Sequence, residues 1–345
     1  MLDPTQWPLA LLVLAFACVA GVIGFVGVRM TRTARDLAYE TGMGEALMGA
    51  LFIGASTSLS GITTSVVAAS GGHAELAVSN GLGGIAAQTC FLAIADIAHR
   101  RVNLEHAAAS AENLFMAAFL MTLLALHGLA LAVPERAVLW VHPATLVILL
   151  VYVFGVRLLA RTHQSPMWIA RRTSDTPRER AETGRRRRGQ LAGLWLRFTA
   201  GAAVVAVAGW ALATLAVPLG DRTGLSDGLV GGVFTAVSTS IPELVVAVSA
   251  VRMGAVNLAV GDIIGGNAFD TLFISASDVA YTGGSIYAAV SREETFWLAN
   301  SLVMTGVLLM GLIYRERHGP GNIGVESVAL FALYLGGLIV LATGV

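Results

Sequence analysis

The sequence predicts an all-α polytopic membrane protein with ten transmembrane helices arranged as two inverted five-helix repeats. Two observations predict the membrane fold. Of the 345 residues, 56% are hydrophobic and 13% are charged, and the mean hydropathy is +0.73, which is typical of chains with many bilayer-spanning segments. A third observation, an internal match at a fixed offset, predicts the repeats.

Ten apolar runs are each about long enough to cross the hydrocarbon core of a bilayer. The first has no basic residues ahead of it, so we expect a first span and not a cleaved signal. The connection at 161–191 is polar and rich in arginine. It is predicted to link a first repeat, 1–160, to a second repeat, 192–345. The runs lie near 8–28, 46–70, 74–98, 107–132, 139–160, 192–217, 227–250, 256–280, 294–314 and 324–344.

Arginine placement predicts the orientation, because loops on the cytoplasmic side carry an excess of basic residues. With the 161–191 linker in the cytoplasm, most other arginines near span ends also lie on the cytoplasmic side. Both termini then lie on the outer side of the cell (inner) membrane. The run Arg185 to Arg188 also suits RNA or anionic lipid, but a positive-inside loop is favoured. The net charge of zero gives no reason to expect a nucleic-acid partner, and the oligomeric state is not predicted.

The repeat is visible when the sequence is compared with itself at an offset of 182 residues. Residues 56–98 then align with 238–280 without a gap, and sixteen of the forty-three pairs are identical. Because five spans is an odd number, the second half enters the membrane from the opposite side. Inverted repeats of this kind are typical of transporters with a site near the membrane midplane. The alternative is a duplicated scaffold without a pathway.

The two matched segments differ at their centres: 56–66 reads STSLSGITTSV, whereas 238–248 reads STSIPELVVAV. Glu243 and Asp270 both lie in the middle of predicted spans that contain no arginine. A buried carboxylate there needs a cation, a proton or a partner. Pro242 removes a backbone donor and is expected to free carbonyls near 238–239. With the hydroxyls of Thr239 and Ser240, these oxygens suit sodium or calcium.

The stretch TSIPELVVAVSAVRMGAVNLAVGDIIGGNAFD resembles the second signature repeat of the calcium:cation antiporter superfamily, approximately TSxPELxxS…GNxxGSNxxN/D. The resemblance extends to the ten-span, five-plus-five architecture. It implies that Glu243 is the central ion-binding residue and that Asp270 closes the site, both as metal ligands. It further implies that oxygens of Thr239, Ser240, the Ala236 carbonyl, Thr57 and Ser58 line the ion sites.

The first half departs from the family pattern, so the chain resembles an atypical member with a degenerate first signature repeat. Gly61 stands where a glutamate is expected, Ser60 replaces the proline, and Gln88 replaces Asn or Asp. Gly84 and Gly266 replace serines. Gln88 still offers an amide oxygen, and water is expected to fill the space left by Gly61. We therefore predict weaker or altered cation selectivity.

Accessory candidates lie at other matched positions. Asp96 and Asp278 are near span ends, where they suit a vestibule or a proton relay. For Asp96 the alternative is an interfacial anchor paired with Arg100 or Arg101. Further polar candidates near the predicted ion path are Asn80, Asp262 and Asn267.

Together these features predict a secondary antiporter that works in a lipid bilayer on small inorganic cations. The exchange is expected to be calcium against sodium or protons, by alternating access. Two alternatives stay open: a sodium/proton or other monovalent exchanger, and a non-transporting scaffold or sensor that retains one cation site. No enzyme motif for a nucleophile, metal-hydrolase or phosphate loop is present, so neither an enzyme nor a cofactor beyond the transported cations is expected.

Overall fold

The computed structural model describes residues 4–41, 57–99, 102–133, 137–164, 168–171, 173, 188–319 and 323–343. Their regular structure is helical, apart from one isolated β-bridge between Val138 and Val141. The helices are α1 (Leu9–Thr41), α2 (Leu59–Ser70), α3 (Ala74–His99), α4 (Leu104–Ala107), α5 (Ala111–Ala132), α6 (Pro143–Gln164), α7 (Arg188–Thr223), α8 (Asp227–Thr239), α9 (Ile241–Arg252), α10 (Val256–Ala280), α11 (Arg292–Tyr314) and α12 (Val325–Thr343), with 3₁₀ turns at Pro4–Gln6 and Ile286–Ala288.

Seven of the described helices are long and apolar enough to cross a membrane, namely α1, α3, α5, α6, α7, α11 and α12. The pair α8 and α9, bent by 41°, provides an eighth candidate. Length and composition therefore establish fewer crossings than the ten predicted. The predicted span at 46–70 is described only from residue 57, and α10 is 25 residues long but contains three aspartates. Most of the predicted linker, together with Arg100 and Arg101, lies outside the described residues.

The helix packing places α3 and α10 in the interior. In its most apolar window α3 is 83% buried, whereas α1 is 28% and α6 is 22% buried. α1 packs along α7, α5 packs on α6 and α11, and α3 contacts α2, α9, α10 and α11. The outer helices expose large apolar side chains, including Leu14, Phe25, Phe154 and Leu196. Such a surface suits contact with lipid tails.

The helices α2 and α9 are built alike. Each has 12 residues, begins after a serine and ends shortly before a glycine with positive φ, +89° at Gly72 and +80° at Gly254. Only glycine adopts this backbone conformation without strain. The two glycines, like the helix starts at Leu59 and Ile241, are 182 positions apart, which is the offset of the sequence repeat.

Close backbone contact brings α8 against α3. A Cβ on Gly83 would collide with the backbone of Gly232, and a Cβ on Gly232 would collide with the Trp297 ring, so both positions need glycine. Gly232 lies in a π-helical segment, Val230–Thr235, within α8. Such segments often mark functional regions of helices because they leave backbone groups in irregular positions.

Candidate cation site

The site is built around the break between α8 and α9. Ser240, with φ −95° and ψ 2°, leaves the helical conformation, and Pro242 follows in the first turn of α9, where its missing N–H costs least. The Thr239 carbonyl accepts a hydrogen bond from Ser60 Oγ at 3.2 Å. The predicted break is present. The carbonyl that it frees is paired with Ser60, the residue that stands where the family pattern has a proline.

Three carboxylates converge beside this break. Glu243 and Asp270 are each 1% exposed, and Asp262 is fully buried. The charges that act on Glu243 are those of Asp270 and Asp262, and Thr57 hydrogen-bonds to its carboxylate. No basic side chain among the described residues contributes to these interactions. Negative groups held together in this way need a cation or protons to neutralise them.

Gln88 connects α3 to this carboxylate group. Its Nε2 donates to Asp270 Oδ2 at 2.7 Å and to Ser240 Oγ at 3.1 Å. Gln88 and Asp270 are 182 residues apart and are therefore matched positions of the repeat. Asn267 Nδ2 likewise lies 3.4 Å from the carbonyl oxygen of its own counterpart, Ile85. Counterpart residues thus meet where α3 crosses α10.

The other predicted ligands lie at the same place but use part of their bonding capacity locally. Thr239 Oγ1 donates to the Thr235 and Ala236 carbonyls at 2.9 and 3.2 Å. The Ala236 carbonyl also accepts the Ser240 N–H at 3.1 Å. Ser58 lies beside Asp270, although its hydroxyl completes no hydrogen bond. All eight predicted ligand residues are buried: Thr57, Ser58, Gln88, Ala236, Thr239, Ser240, Glu243 and Asp270.

A set of buried oxygens here has no hydrogen-bond partner. Such atoms are rare, since losing water without a replacement is costly. A cation satisfies several of them at once, as sodium and calcium do with oxygen ligands. In the described part of the chain no three acidic, histidine or cysteine side chains form a ready-made metal cluster, so amide and hydroxyl oxygens would have to contribute. The unpartnered atoms are Ser58 Oγ, Gln88 Oε1, Glu243 Oε2, Asp262 Oδ1 and Oδ2, Asn267 Oδ1 and Asp270 Oδ1.

The space at Gly61 is filled by an aromatic ring. A Cβ built on Gly61 would collide with the Phe273 ring, and its distance from Phe273 Cζ would be 2.9 Å. The expectation that water fills this space is therefore wrong. At Gly84 the result is different. A Cβ there would lie 3.6 Å from Ser240 Oγ and 4.0 Å from Asp270 Oδ2, both ordinary contacts.

Asn80 joins three helices next to the carboxylates. Its Nδ2 donates to the Gly61 carbonyl at 3.1 Å and to Ser65 Oγ at 2.9 Å, and its Oδ1 accepts from Thr235 Oγ1 at 2.8 Å. Asn80 thus positions α2 and α8 against α3. The sequence reasoning did not identify Thr235, Ser60 or Phe273. Of these three residues, only Thr235 could have been suspected from the sequence, because it lies one helical turn before Thr239.

Asp96 lies away from the central carboxylates and holds helix starts. Its Oδ1 accepts from the Leu104 backbone N–H at 2.7 Å, and its Oδ2 accepts from the Gly324 N–H at 2.9 Å and Ser327 Oγ at 3.0 Å. These donors belong to the beginnings of α4 and α12. The unpaired N–H groups at a helix start are ones that a carboxylate satisfies well.

Asp278 makes the corresponding bonds at the other end of the molecule. Its Oδ1 accepts from the Ile286 N–H at 2.9 Å, and its Oδ2 accepts from the His142 N–H at 2.8 Å and Thr145 Oγ1 at 2.7 Å. Each donor is 182 positions from its equivalent around Asp96. We name these two arrangements the aspartate clasps. The structure brings neither aspartate into the central group.

Comparison with protein families matches nearly the whole chain. The model of the family described as "Sodium/calcium exchanger protein" matches residues 11–159 and 193–343. The stretch between the two matched segments contains the arginine-rich residues 161–191.

Curated relatives match over shorter stretches. A sodium/calcium exchanger, MaX1, of Methanosarcina acetivorans is 32% identical over 121 residues, or 35% of this chain and 33% of its own. The putative antiporter CaxA of Alkalimonas amylolytica is 29% identical over 35% of this chain and 37% of its own. The inner membrane protein YrbG of Escherichia coli is 30% identical over 35% and 36%. The match thus spans about a third of the length of each of these relatives.

Solved structures extend the similarity to the whole fold. The sodium-calcium exchanger NCX_Mj superimposes with a TM-score of 0.65 at 17% identity, covering 97% of this chain and 99% of its own. The H⁺/Ca²⁺ exchanger CAX gives 0.64 at 12% identity, covering 98% and 85%. At these identities the likeness establishes the fold alone.

Proposed function

Because the chain belongs to the sodium/calcium exchanger protein family, we propose that it is a secondary cation antiporter whose transported ion binds between Glu243 and Asp270. The observation that carries the proposal is the set of buried, unpartnered oxygens around these residues. No basic side chain competes for their charge in the described part of the chain. The ion exchanged is calcium, against sodium or protons, in keeping with its similarity to the sodium/calcium exchanger MaX1 and the H⁺/Ca²⁺ exchanger CAX.

The ligand chemistry follows from the donors available. Two carboxylates neutralise one calcium or two monovalent ions, and the Gln88 amide and the Ser58 hydroxyl add neutral oxygens. Calcium prefers six to eight oxygens. Gly61 adds none, and Phe273 fills the space that a water would otherwise occupy. Calcium affinity is therefore expected to be lower than in an exchanger with carboxylates from both halves.

Alternating access is the proposed mechanism, with ten spans in two inverted halves that expose the site to each side in turn. Three features of the geometry support a two-fold relation between the halves. Counterpart residues meet at the crossing of α3 and α10, the helices α2 and α9 have equal length, and the aspartate clasps use donors at equal offsets. The accessory residue Asn267 lies at this crossing, and Asn80 and Asp262 are proposed to assist the ion from positions next to it.

The proposed setting is a cell membrane with the arginine-rich linker in the cytoplasm and both termini outside. The positive-inside distribution of arginines supports this orientation. The exposed apolar side chains of the outer helices fit a lipid partner.

One observation favours a monovalent exchanger as a second candidate. The Gln88 amide donates to Asp270 Oδ2 and to Ser240 Oγ, so two oxygens that a calcium ion would use already accept a hydrogen bond. Sodium and protons need fewer oxygens than calcium and would bind the remaining ones.

Flux measurements in proteoliposomes separate these candidates. Calcium uptake driven by an outward sodium or proton gradient is expected in the wild-type protein and is expected to be lost in Glu243→Gln and Asp270→Asn. Asp221→Asn, at an exposed acid of α7, is the matched control and should retain uptake. Sodium-dependent proton flux without calcium flux would favour the monovalent exchanger. Calcium binding without any flux would refute antiport and leave a scaffold that retains one cation site.

A further inference from the structure

Two glutamates are buried beside the clasp of Asp96, and neither takes part in it. Glu105 in α4 is 1% exposed, and Glu326 in the first turn of α12 is 8% exposed. All four of their carboxylate oxygens lack a hydrogen-bond partner among the described residues. The clasp donors Leu104, Gly324 and Ser327 already bond to Asp96. Burying two carboxylates without partners costs several kcal/mol in general, so their presence needs a reason other than helix capping.

The two glutamates and one amide surround a single space. A Cβ on Gly324 would lie 2.9 Å from Glu326 Oε2 and 3.4 Å from both Glu105 Oε2 and Asn103 Nδ2. Asn103 is 1% exposed, and this amide nitrogen also has no partner. Asn103 Oδ1 accepts a long hydrogen bond from the Gly319 N–H at 3.4 Å. A half-turn of the amide exchanges its oxygen and nitrogen, so Asn103 can turn its oxygen to the same space at the cost of this bond. Glycine at 324 keeps the space open.

The charges around this space are negative. Those that act on Glu105 come from Asp96 and Glu326. Burial, followed by these charges, raises the pKa of Glu105 from 4.5 to about 8. The nearby guanidinium of Arg315 donates to backbone carbonyls, those of Arg171 at 2.8 Å and His106 at 3.0 Å. Cation binding would relieve the repulsion within the pair.

The repeat supplies an internal comparison. The positions 182 residues from Glu105 and Glu326 are Tyr287 and Ala144. There the clasp of Asp278 forms with the same set of hydrogen bonds, and Tyr287 bonds to His127 through its hydroxyl at 2.9 Å. The clasp therefore does not require carboxylates beside it. The glutamate pair is an addition to one end of the molecule.

This end is the one where the linker begins. His106, next to Glu105, accepts at Nε2 from Thr173 Oγ1 at 3.0 Å while its Nδ1–H donates to the Arg315 carbonyl at 2.8 Å. Thr173 and Arg171 belong to the described part of the linker. Glu105 is thus one residue from a contact that holds the linker against the helices.

We infer that Glu105, Glu326 and Asn103 form a second cation site at the linker end of the molecule, separate from the central site, which takes a divalent cation of the calcium type. Two carboxylates and one amide supply up to five oxygens, and water completes the coordination. Calcium tolerates such an irregular set, whereas magnesium requires near-ideal octahedral geometry and gives up its water reluctantly. The site does not depend on transport through the central site.

The test is calcium binding to the purified full-length protein by equilibrium dialysis. The double variant Glu243→Gln/Asp270→Asn removes the two carboxylates proposed to bind the transported ion and is expected to retain one calcium site. Adding Glu105→Gln or Glu326→Gln to it should weaken that remaining binding at least tenfold. Adding Asp36→Asn instead, at an exposed acid of α1, should leave it unchanged. Far-ultraviolet circular dichroism and size-exclusion elution of each variant check that the fold is retained.

Three outcomes would overturn the inference. The first is that the Glu243→Gln/Asp270→Asn variant binds no calcium. The second is that adding Glu105→Gln or Glu326→Gln leaves its calcium binding intact. The third is that magnesium binds to this site as tightly as calcium. Loss of flux without loss of this calcium binding would count only against the proposal for the central site. A flux-competent protein without this binding would refute only the second site.

Discussion

Replacing Gly61 by glutamate, the residue that the family pattern has there, tests whether Phe273 has taken the place of the missing ligand. Gly61 is buried and Phe273 is 3% exposed. The Cβ of any side chain at 61 meets the Phe273 ring, at 2.9 Å from Cζ. Overpacking of this kind costs about 1–3 kcal/mol, and an added buried carboxylate costs about as much again. We therefore expect Gly61→Glu to be destabilised and to bind calcium no more tightly than wild type.

Removing the ring should reverse that result. Phe273→Ala alone leaves a cavity, at a cost of about 3–5 kcal/mol. In Gly61→Glu/Phe273→Ala the new side chain occupies the space that the Phe273 ring vacates. The two changes should then be non-additive by about 1–3 kcal/mol. An additional carboxylate, supplied by the first half, should tighten calcium binding at least tenfold, which is about 1.4 kcal/mol.

The assay is thermal unfolding in detergent, followed by tryptophan fluorescence with and without calcium. Gly336→Ala is the control for the loss of a helical glycine, because a Cβ there meets no atom within 4 Å. Additive effects of the two changes on the unfolding midpoint, together with an unchanged calcium response of the double variant, would refute the assignment of Phe273 as the occupant of this space.

Three further results are expected. Gly84→Ser should fold as well as wild type, because its Cβ makes only ordinary contacts, and should bind calcium more tightly by dialysis; a fall in its melting temperature would contradict this. Asp278→Ala leaves two buried N–H groups unpaired and should lower stability by about 2–5 kcal/mol, against Asp221→Ala as an exposed control; equal melting of the two variants would refute the clasp. Calcium at a hundredfold excess over its Kd should stabilise the wild-type protein by about 2.7 kcal/mol, and Glu243→Gln should reduce this stabilisation.

Much of the fold was predictable because apolar length and repeat offset are properties of sequence alone. The predicted segments 74–98 and 256–280 correspond closely to α3 and α10. The sequence also predicted the break before Pro242, because proline cannot donate a hydrogen bond. The number of membrane crossings was less predictable: the three aspartates of α10 lower its hydropathy although the helix is among the most buried.

The detailed contacts of the site were not predictable from the sequence. Phe273 is an ordinary apolar residue of a buried helix, and nothing in its neighbours along the chain shows that its ring reaches Gly61. Asp96 and Asp278 each accept one bond from a residue eight positions along the chain. Their other bonds depend on helix starts that are 228 residues away for Asp96, in α12, and 136 residues away for Asp278, in α6. Local sequence suggested a vestibule or an arginine partner because the distant donors are visible only after folding.

The contact between Gln88 and Asp270 has a consequence for symmetry. In an assembly of two identical halves, these positions would carry the same residue, and each would face its own copy. Two aspartates at hydrogen-bonding distance would repel, and two glutamines would leave this contact without charge. Joining the halves in one chain allows an amide donor on one side and a carboxylate acceptor on the other. The 2.7 Å bond therefore exists only because the two halves are no longer identical.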